Sequence, residues 1–544
     1  MKELTPQLIH SLKHYSKEDF IKDLTSGVIV AIIALPLSIA LALASGVSPE
    51  QGLYTAIVAG FLISALGGSK VQIAGPTAAF ATIVAGIVAR NGMDGLAVAT
   101  ILAGLMLILM GVLRMGSMIK FIPYTITTGF TAGIAVTILI GQLKDFFGLT
   151  FTRSPVETME KVEEVIHTFH TVNLAAVGVG VLALAVLIVW PKFFKKVPAS
   201  LIAVILTAGA VKLMSLPVNT IGDLYSISSA VPRFTLPAIS YGTVSAVLPD
   251  AFTIAVLAAI ESLLSAVVAD EMIGSRHNSN MELVAQGVGN AASALFGGIP
   301  ATGAIARTAA NIKNGGRSPV AGMVHGVVLL LVLVLLMPYA ALIPMPCIAA
   351  ILFQVAYNMS GWRTVIKVVN HSPKSDVAVL VVTFLLTVVF DLVVAIAVGL
   401  SLACLLFMKR MADVASVKEW NYVEDTQDDQ GRLKAVPAHV MVYEFTGPLF
   451  FGAADKIPHM ERNTGRNVLI LRMRSVPAMD ITAMNSLRRL YEECQSKDIR
   501  VLFSHVNEQP MSVFRKSGLY DLVGEESFVP NIDAALDRAA ALKV

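Results

Sequence analysis

Two ionisable residues, Glu261 and Arg307, lie inside long apolar stretches of the sequence. An unpaired charge at the centre of a bilayer costs at least about 2.5–3.5 kcal/mol, so each needs a partner or a wet cavity. The guanidinium group of Arg307 presents a fork of donors that fits a carboxylate, sulfate or bicarbonate. The carboxyl group of Glu261 can load a cation, which is either a proton or Na⁺ held together with Ser265 and backbone carbonyls. A structural salt bridge between Glu261 and Arg307 is the alternative interpretation.

A short stretch containing Gly or Pro precedes a small-residue segment in each half of the chain, at Gly75 and at Gly303. These two positions are 228 residues apart (303 − 75), and the acids that open each half, Asp23 and Asp250, are 227 apart (250 − 23). If both segments are helices that begin near the midplane, their free N–H groups and positive dipole ends converge and attract an anion. The sequence therefore predicts a site for an anion at Gly75, Pro76, Thr77, Ala78, Gly303, Ala304, Ile305 and Arg307.

Composition supports a membrane setting for these residues. Of the 544 residues, 55% are hydrophobic and only 15% are charged, and the mean hydropathy is +0.71. The last 134 residues carry 35 of the 79 charged side chains, which is typical of a soluble domain following a membrane domain. This excludes a soluble enzyme, a disulfide-rich module and a disordered chain. The sequence contains no Walker loop, dinucleotide fingerprint or HExxH motif, and no basic block indicates nucleic acid. We expect neither enzyme activity, cofactor nor metal.

Apolar runs predict fourteen membrane spans, of which the short ones could also be re-entrant. They lie at 24–44, 52–66, 76–90, 95–113, 121–143, 172–190, 198–214, 249–269, 283–296, 303–313, 319–337, 346–359, 375–391 and 392–408. The repeat of about 228 residues divides them seven plus seven, so the second copy must enter the membrane from the other face. Basic residues cluster in alternate loops, which predicts that both termini are cytoplasmic.

After residue 438 short β-prone runs alternate with helical ones, which predicts a small α/β domain. The expected strands are Val440–Phe445, Val468–Met473 and Arg500–Ser504, and the expected helices are Ile481–Gln495, Pro510–Lys516 and Ile532–Leu542. The predicted organisation is a cytoplasmic segment (1–23), a first repeat (24–214), an extracytoplasmic connector (215–248), a second repeat (249–410), a linker (411–437) and a cytoplasmic domain (438–544).

Several motifs together resemble the SulP family of anion transporters, and the C-terminal segment resembles its STAS domain. The motifs are Gly75-Pro76-Thr77-Ala78-Ala79, Glu261-Ser262, Gln286-Gly287-Val288-Gly289-Asn290 and Gly303–Asn311. The resemblance implies core and gate domains, a substrate between the third and tenth helices, an elevator movement and a homodimer. It also implies that the STAS domain aids assembly and contacts a cytoplasmic protein partner. Within the family, Ala259–Leu264, Ala304–Asn311 and Gly447–Phe451 look most like a dicarboxylic acid transporter.

Two further expectations come from the same resemblance. The family's cyanobacterial bicarbonate transporter has an aspartate where this chain has Glu261, and threonines where it has Ser265 and Ile305. The departures at Ser265 and Ile305 favour H⁺ over Na⁺ as the coupling ion. The phosphorylated residue of STAS regulators matches Thr482, although a threonine at the start of a helix is otherwise a cap.

The sequence thus predicts a secondary active transporter in a bacterial inner membrane that takes up a small anion, such as a C4-dicarboxylate, with protons. Among secondary active transporters, the alternative is uptake of sulfate or bicarbonate, with or without Na⁺ as the driving ion. A passive anion channel and a membrane scaffold that works through the STAS domain are alternatives from other classes.

Overall fold

The computed structural model describes residues 4–13, 15–117, 122–153, 155–194, 197–390, 392–419, 436–459 and 465–542. These fall into two compact units, Met1–Leu400 and Ser401–Val544. The first is helical, and the second contains a five-stranded sheet with helices.

Among the described residues, the first half of the helical unit contains nine α-helices and one two-residue strand. In chain order they are α1 (Gln7–Leu12), α2 (Lys17–Ala44), α3 (Pro49–Leu66), β1 (Ala74–Gly75), α4 (Ala78–Val112), α5 (Tyr124–Phe147), α6 (Thr158–Thr168), α7 (Leu174–Phe193), α8 (Ala199–Leu213) and α9 (Ile221–Leu224). The second half follows as α10 (Tyr241–Ile273), α11 (Ser279–Leu295), β2 (Thr302–Gly303), α12 (Ile305–Lys313), α13 (Val320–Ala340), α14 (Met345–Ser360), α15 (Trp362–His371), α16 (Lys374–Val389) and α17 (Leu392–Val414).

Each of the fourteen predicted spans coincides with a helix, and two of them share α4. That helix divides at Gly92, whose φ of +67° interrupts the helical backbone. In the described part of the chain, seven helices are long and apolar enough to cross a membrane by length and composition alone. The nine residues of α12 span only about 13 Å, well short of a hydrocarbon core of about 30 Å. This segment is therefore a half-helix rather than a full span.

Contacts between the two halves repeat with the period read from the sequence. The carboxylate of Asp23 accepts a hydrogen bond from the Arg317 backbone N–H at 2.8 Å. The carboxylate of Asp250 forms an ion pair with the Arg90 side chain at 3.0 Å. Both the acids (250 − 23) and the arginines (317 − 90) are 227 residues apart, so each acid contacts the opposite repeat at the equivalent place. The fold is thus a seven-plus-seven inverted repeat.

The helices of the two repeats pack into two bundles. In the core bundle, α2, α3 and α4 contact α10, α11 and α13. In the gate bundle, α5 and α7 contact α14, and α5 also contacts α16. Each bundle therefore combines equivalent helices of both repeats. Close approach in the core bundle depends on small residues, since a Cβ on Gly104 would lie 2.6 Å from the carbonyl oxygen of Gly287.

The second unit contains five strands in the order β3 (Ser416–Glu419), β4 (Val440–Thr446), β5 (Val468–Ser475), β6 (Arg500–Ser504) and β7 (Phe528–Val529). The β3–β4 pair is antiparallel and the other pairs are parallel. The helices are α18 (Ile481–Gln495), α19 (Glu508–Lys516), α20 (Leu519–Val523) and α21 (Ile532–Ala541). Alternate residues of β5 face two cores, with Leu469 and Leu471 in one and Val468 and Ile470 in the other. The predicted strands and helices are present, and β3 and β7 add to them.

Several boundaries differ from the sequence-based expectation. Helix α2 begins at Lys17, before the expected start of the first repeat at residue 24, and α17 continues to Val414, past the expected end of the second repeat at residue 410. The expected linker 411–437 is wrong over Ser416–Glu419, which form the edge strand β3, and residues 420–435 lie outside the described part of the chain. A short polar edge strand has no alternation of apolar residues, so its sequence looks like a linker. The expected connector 215–248 is also too long at its end, because α10 begins at Tyr241 with the Ser240 side chain accepting from the Thr243 N–H.

Candidate functional site

The starts of the two half-helices lie side by side at the centre of the core bundle. Strands β1 and β2 pair antiparallel, with Ala74 opposite Gly303 and Gly75 opposite Thr302. Helix α4 begins three residues after the end of β1, and α12 begins two residues after the end of β2. The structure therefore brings Pro76, Thr77 and Ala78 together with Ala304 and Ile305. Free N–H groups of both helices converge on this crossing, which gives it a positive potential.

Glu261 of α10 lies against this crossing. The hydroxyl of Thr77, at the N-cap of α4, donates a hydrogen bond to Oε2 of Glu261 at 3.0 Å. The glutamate side chain is half-buried rather than sealed. A titratable carboxyl group and the start of an anion-attracting helix thus meet through one threonine.

Ser262 attaches α10 to the second strand, and sequence reasoning gave it no role. Its hydroxyl accepts from the Gly303 N–H at 3.0 Å and lies 2.9 Å from the Thr302 hydroxyl. Just before the first strand, the Ile73 N–H donates a similar hydrogen bond to the Thr308 hydroxyl at 3.0 Å. These two hydrogen bonds attach both strands to neighbouring helices. The sequence feature that could have indicated Ser262 is its position directly after Glu261.

Arg307 lies behind the crossing instead of facing Glu261. Its side chain is 1% exposed, and its Nη2 donates to the carbonyl oxygen of Pro76 at 3.1 Å and to the Ser38 hydroxyl at 3.3 Å. Within the part of the chain that the structure describes, it forms no ion pair. The alternative of a Glu261–Arg307 salt bridge is therefore wrong for this structure.

The close approach of this arginine requires a glycine in β1. A Cβ built on Gly75 would lie 2.2 Å from Nη1 of Arg307. Gly303 has the same function in β2, where a Cβ would lie 2.2 Å from Nε2 of Gln72. The positive charge of Arg307 is thus held against the backbone of β1 and adds to the potential of the two helix starts.

Ser265 and Asn311 contact the protein rather than an open site. Ser265 is fully buried, and its hydroxyl donates to that of Thr308 at 3.4 Å. The amide of Asn311 donates to the carbonyl oxygen of Val71 at 2.8 Å and accepts from the Ser26 hydroxyl at 2.7 Å. Asn311 therefore packs α12 against the first repeat.

Glu282 of α11 is a buried acid that sequence reasoning missed. It is 1% exposed, and its carboxylate accepts hydrogen bonds from the backbone N–H groups of Gly68 and Ser69 and from the side-chain amides of Gln72 and Gln286. Four donors satisfy the carboxylate and fix the segment that leads into β1. The sequence feature that could have indicated it is the spacing of Glu282 and Gln286, four residues apart on an apolar helix.

The accessible surface of the crossing is formed by few residues. Ile305 is 46% exposed, Ala306 is exposed, and Thr77, Ala304 and Glu261 are half-buried. Gly75, Pro76, Ala78 and Gly303 are buried and contribute backbone. A ligand reaching this point would meet helix N-termini, one carboxyl group and an apolar side chain.

In the second unit, Thr482 is exposed at the second position of α18. The cap of that helix is Asp480, whose carboxylate accepts from the N–H groups of Ala483 and Phe451, each at 2.9 Å. Thr482 is therefore not the capping residue, and its hydroxyl is available at a helix N-terminus.

This fold and this crossing define a multi-pass membrane protein with broken helices that meet at the interface of two inverted repeats, as in secondary transporters. The chain belongs to the sulfate permease family, because the Sulfate permease family profile matches residues 20–383. The STAS domain profile matches residues 433–538. The family consists of transporters.

Curated relatives cover almost the whole chain. A putative sulfate transporter, YvdB of Bacillus subtilis (strain 168), is 40% identical over 96% of this chain and 98% of its own length. The bicarbonate transporter BicA of Picosynechococcus is 31% identical over 96% of this chain and 94% of its own length. A structure of the murine Slc26a9 anion transporter in the inward-facing state covers 99% of this chain and 94% of its own, with a TM-score of 0.89 at 19% identity, which shows the shared fold.

Proposed function

We propose that this protein is a secondary active transporter that moves a small anion across the membrane together with protons. The observation that carries the proposal is the hydrogen bond between Glu261 and Thr77 at the β1–β2 crossing. It connects a titratable carboxyl group directly to the start of a half-helix. Loading of the acid and loading of an anion at the helix start are therefore coupled electrostatically.

The anion would bind between the starts of α4 and α12. Backbone N–H groups following Thr77 and Ala304 supply donors, and the buried charge of Arg307 raises the potential through Pro76. Gly75, Pro76, Ala78, Gly303 and Ile305 shape the backbone and the wall of this site. Arg307 acts on the anion through the electric field, because its side chain is only 1% exposed.

We propose H⁺ rather than Na⁺ as the ion that Glu261 binds. A Na⁺ site needs several oxygen ligands around the carboxylate, whereas Ser265 is fully buried and its hydroxyl is directed at that of Thr308. The exposed side chain of Ile305 at the start of α12 offers no oxygen at all. A proton needs only the carboxyl group itself.

The proposed substrate is a C4-dicarboxylate such as fumarate or succinate. This rests on the resemblance of Ala259–Leu264, Ala304–Asn311 and Gly447–Phe451 to the enterobacterial dicarboxylic acid transporter DauA. Sulfate or bicarbonate is the second candidate, with Na⁺ as the alternative coupling ion, because the relatives named above are a putative sulfate transporter and a bicarbonate transporter. All of these anions suit two helix starts and one buried arginine.

Uptake into proteoliposomes tests the proposal. Labelled fumarate, succinate, sulfate and bicarbonate are supplied in turn, under an imposed proton gradient, an imposed Na⁺ gradient or neither. We expect accumulation of at least one anion above equilibrium with the proton gradient. Equal uptake with and without gradients would identify a passive channel instead, and accumulation with Na⁺ alone would identify the alternative coupling.

The remaining parts of the proposal concern movement and assembly. We propose that the core bundle moves against the gate bundle as an elevator, in a homodimer in a bacterial inner membrane with both termini in the cytoplasm. The STAS domain would bind a cytoplasmic protein partner, and phosphorylation of Thr482 would regulate that binding. Phosphoproteomics that detects peptides containing Thr482 but never their phosphorylated form would argue against the last point.

A further inference from the structure

A second polar cavity lies between the core and gate bundles, away from the β1–β2 crossing. Its volume is about 350 Å³. The end of α2, the middle of the first half of α4 and the end of α5 form its walls, through Leu43, Ala85 and Gln142 among others. Residues 151–153 and 155–161, the last of which lie in α6, cover it. A volume of this size is at the lower end of the range for small-molecule sites.

The walls of this cavity carry an excess of positive charge. Lys144, Arg153 and Lys161 line it together with a single acid, Asp145. The ammonium group of Lys144 is 5.2 Å from the centre of the Phe151 ring. Lys161 of α6 is half-buried, and burial lowers the pKa of its ammonium group. Among the described residues, the Lys161 side chain forms no hydrogen bond and no ion pair, so it is available to a ligand.

The covering segment is held in place by a second carboxylate, Glu164. It accepts hydrogen bonds from the Thr152 N–H at 2.6 Å, the Thr152 hydroxyl at 2.7 Å and the Arg153 N–H at 3.2 Å. The bonds from Thr152 hold the pKa of Glu164 below its usual value, so the carboxylate stays ionised at neutral pH. Arg153 is thereby presented at the cavity by a fixed backbone.

The cavity also lies in line with the anion site. Ala85 is seven residues beyond Ala78 on the same helix, a distance of about 10 Å along its axis. An anion released from the cavity along α4 would therefore arrive at the helix start that Thr77 caps.

We propose that this cavity is an entry site, in which Lys144, Arg153 and Lys161 capture a small dianion before it reaches the crossing between α4 and α12. The inference rests on the proposed anion transport and adds a second binding site to it. Three positive groups against one acid leave a formal surplus of two, which a dianion such as sulfate or a C4-dicarboxylate neutralises. Asp145 opposes capture, because it repels the same ligand.

The test measures initial uptake of labelled sulfate and labelled fumarate by intact cells at low ionic strength, with Lys161→Gln, Asp145→Asn and Lys161→Arg variants. We expect Lys161→Gln to raise KM about fivefold with little change in kcat, since one charge is lost at the cavity wall. Lys161→Arg restores the wild-type KM, and Asp145→Asn lowers it. The increase shrinks at about 0.5 M salt, because added ions screen charge interactions.

Lys212 provides a matched control. It is exposed near the end of α8 and does not line the cavity. It lies on the same face of the bundle, because Asn173 at the start of α7 bonds both to Phe147 at the end of α5 and to Pro217 just after α8. Lys212→Gln should leave KM unchanged.

Three outcomes would overturn the entry site. The first is an unchanged KM in Lys161→Gln. The second is an increase in the KM of Lys161→Gln no larger than that of Lys212→Gln. The third is that Lys161→Gln raises KM by the same factor when transport is measured from the other side of the membrane, in everted vesicles. If one of these outcomes is seen while the wild-type protein transports an anion, the entry site is wrong and the proposed function is unaffected. A wild-type protein that takes up no tested anion would contradict the proposed function, and the entry site with it.

Discussion

The substitution Gly75→Ala is expected to separate Arg307 from the anion site. A Cβ at position 75 would lie 2.2 Å from Nη1 of Arg307 and 3.6 Å from the Cα of Ala56. Non-bonded heavy atoms prefer about 3.5–4.0 Å, so the guanidinium group has to recede by more than about 1 Å. The hydrogen bond from Arg307 to the carbonyl oxygen of Pro76, at 3.1 Å, then breaks.

The expected cost has two parts. Overpacking a buried site costs about 1–3 kcal/mol, and loss of a hydrogen bond to a charged group costs about 1.5–3 kcal/mol. Gly75→Ala should therefore destabilise the core bundle by about 2.5–6 kcal/mol. We expect the apparent unfolding temperature in detergent to fall by at least about 3 °C. The apparent affinity for the anion should fall as well, because the charge moves away from the crossing.

A double-mutant cycle with Arg307→Ala makes the argument specific. Without the guanidinium group the added methyl has no neighbour closer than Ala56, so Gly75→Ala should cost little in that background. Gly178→Ala in α7 is the control, because a Cβ there meets nothing within 4 Å. If Gly75→Ala lowers the unfolding temperature equally with and without Arg307, the guanidinium group does not occupy that space and our account of the site is wrong.

Three further predictions address the coupling acid and the C-terminal unit. Glu261→Gln should fold normally but lose accumulation driven by a proton gradient in proteoliposomes; undiminished uphill uptake would exclude the coupling role. Asp480→Ala removes the cap of α18 and should lower the opening free energy of residues 481–495 by about 1–2 kcal/mol in hydrogen exchange of the full chain; unchanged protection of α18 would contradict this. Burial raises the pKa of the Cys494 thiol to about 12, so iodoacetamide should not modify it in the native protein at pH 8, whereas modification at the rate of a free thiol would show that it is accessible. Because an unfolded thiol titrates near 8.5, the same shift makes the stability of this unit fall as the pH rises from about 8.5 towards 12.

Residue patterns predicted the helices well because each helix in lipid must satisfy its own backbone. Apolar runs located all fourteen segments. Their ends lie within about four residues of the helix ends, except that α2 begins at Lys17, α10 begins at Tyr241 and α17 continues to Val414. The matched glycine-containing stretches at Gly75 and Gly303 pointed to the crossing, because backbone that leaves a helix at membrane depth must be buried or line a cavity. Contacts of Asp23 and Asp250 with opposite repeats agree with the period read from the chain.

The partners of the buried polar groups could not be predicted in the same way. Glu261 and Arg307 are 46 residues apart (307 − 261), and a salt bridge between them was the alternative interpretation of the sequence, yet Glu261 bonds to Thr77 and Arg307 to Pro76. Glu282 looked like a residue at the edge of a span, although it anchors the segment before β1 with four hydrogen bonds. Hydrogen-bond partners depend on which helices are neighbours, and a single sequence does not contain that information.

By itself the sequence determined the membrane setting, the two repeats, the half-helices and the C-terminal α/β domain, because these follow from local composition and periodicity. Only the tertiary structure decided that Thr77 meets Glu261, that Arg307 lies behind β1 against Gly75, and that Lys161 faces a cavity between the bundles. Those contacts join residues from distant parts of the chain, and their geometry is set by how whole helices pack. The chemistry of the proposed transport depends on these contacts.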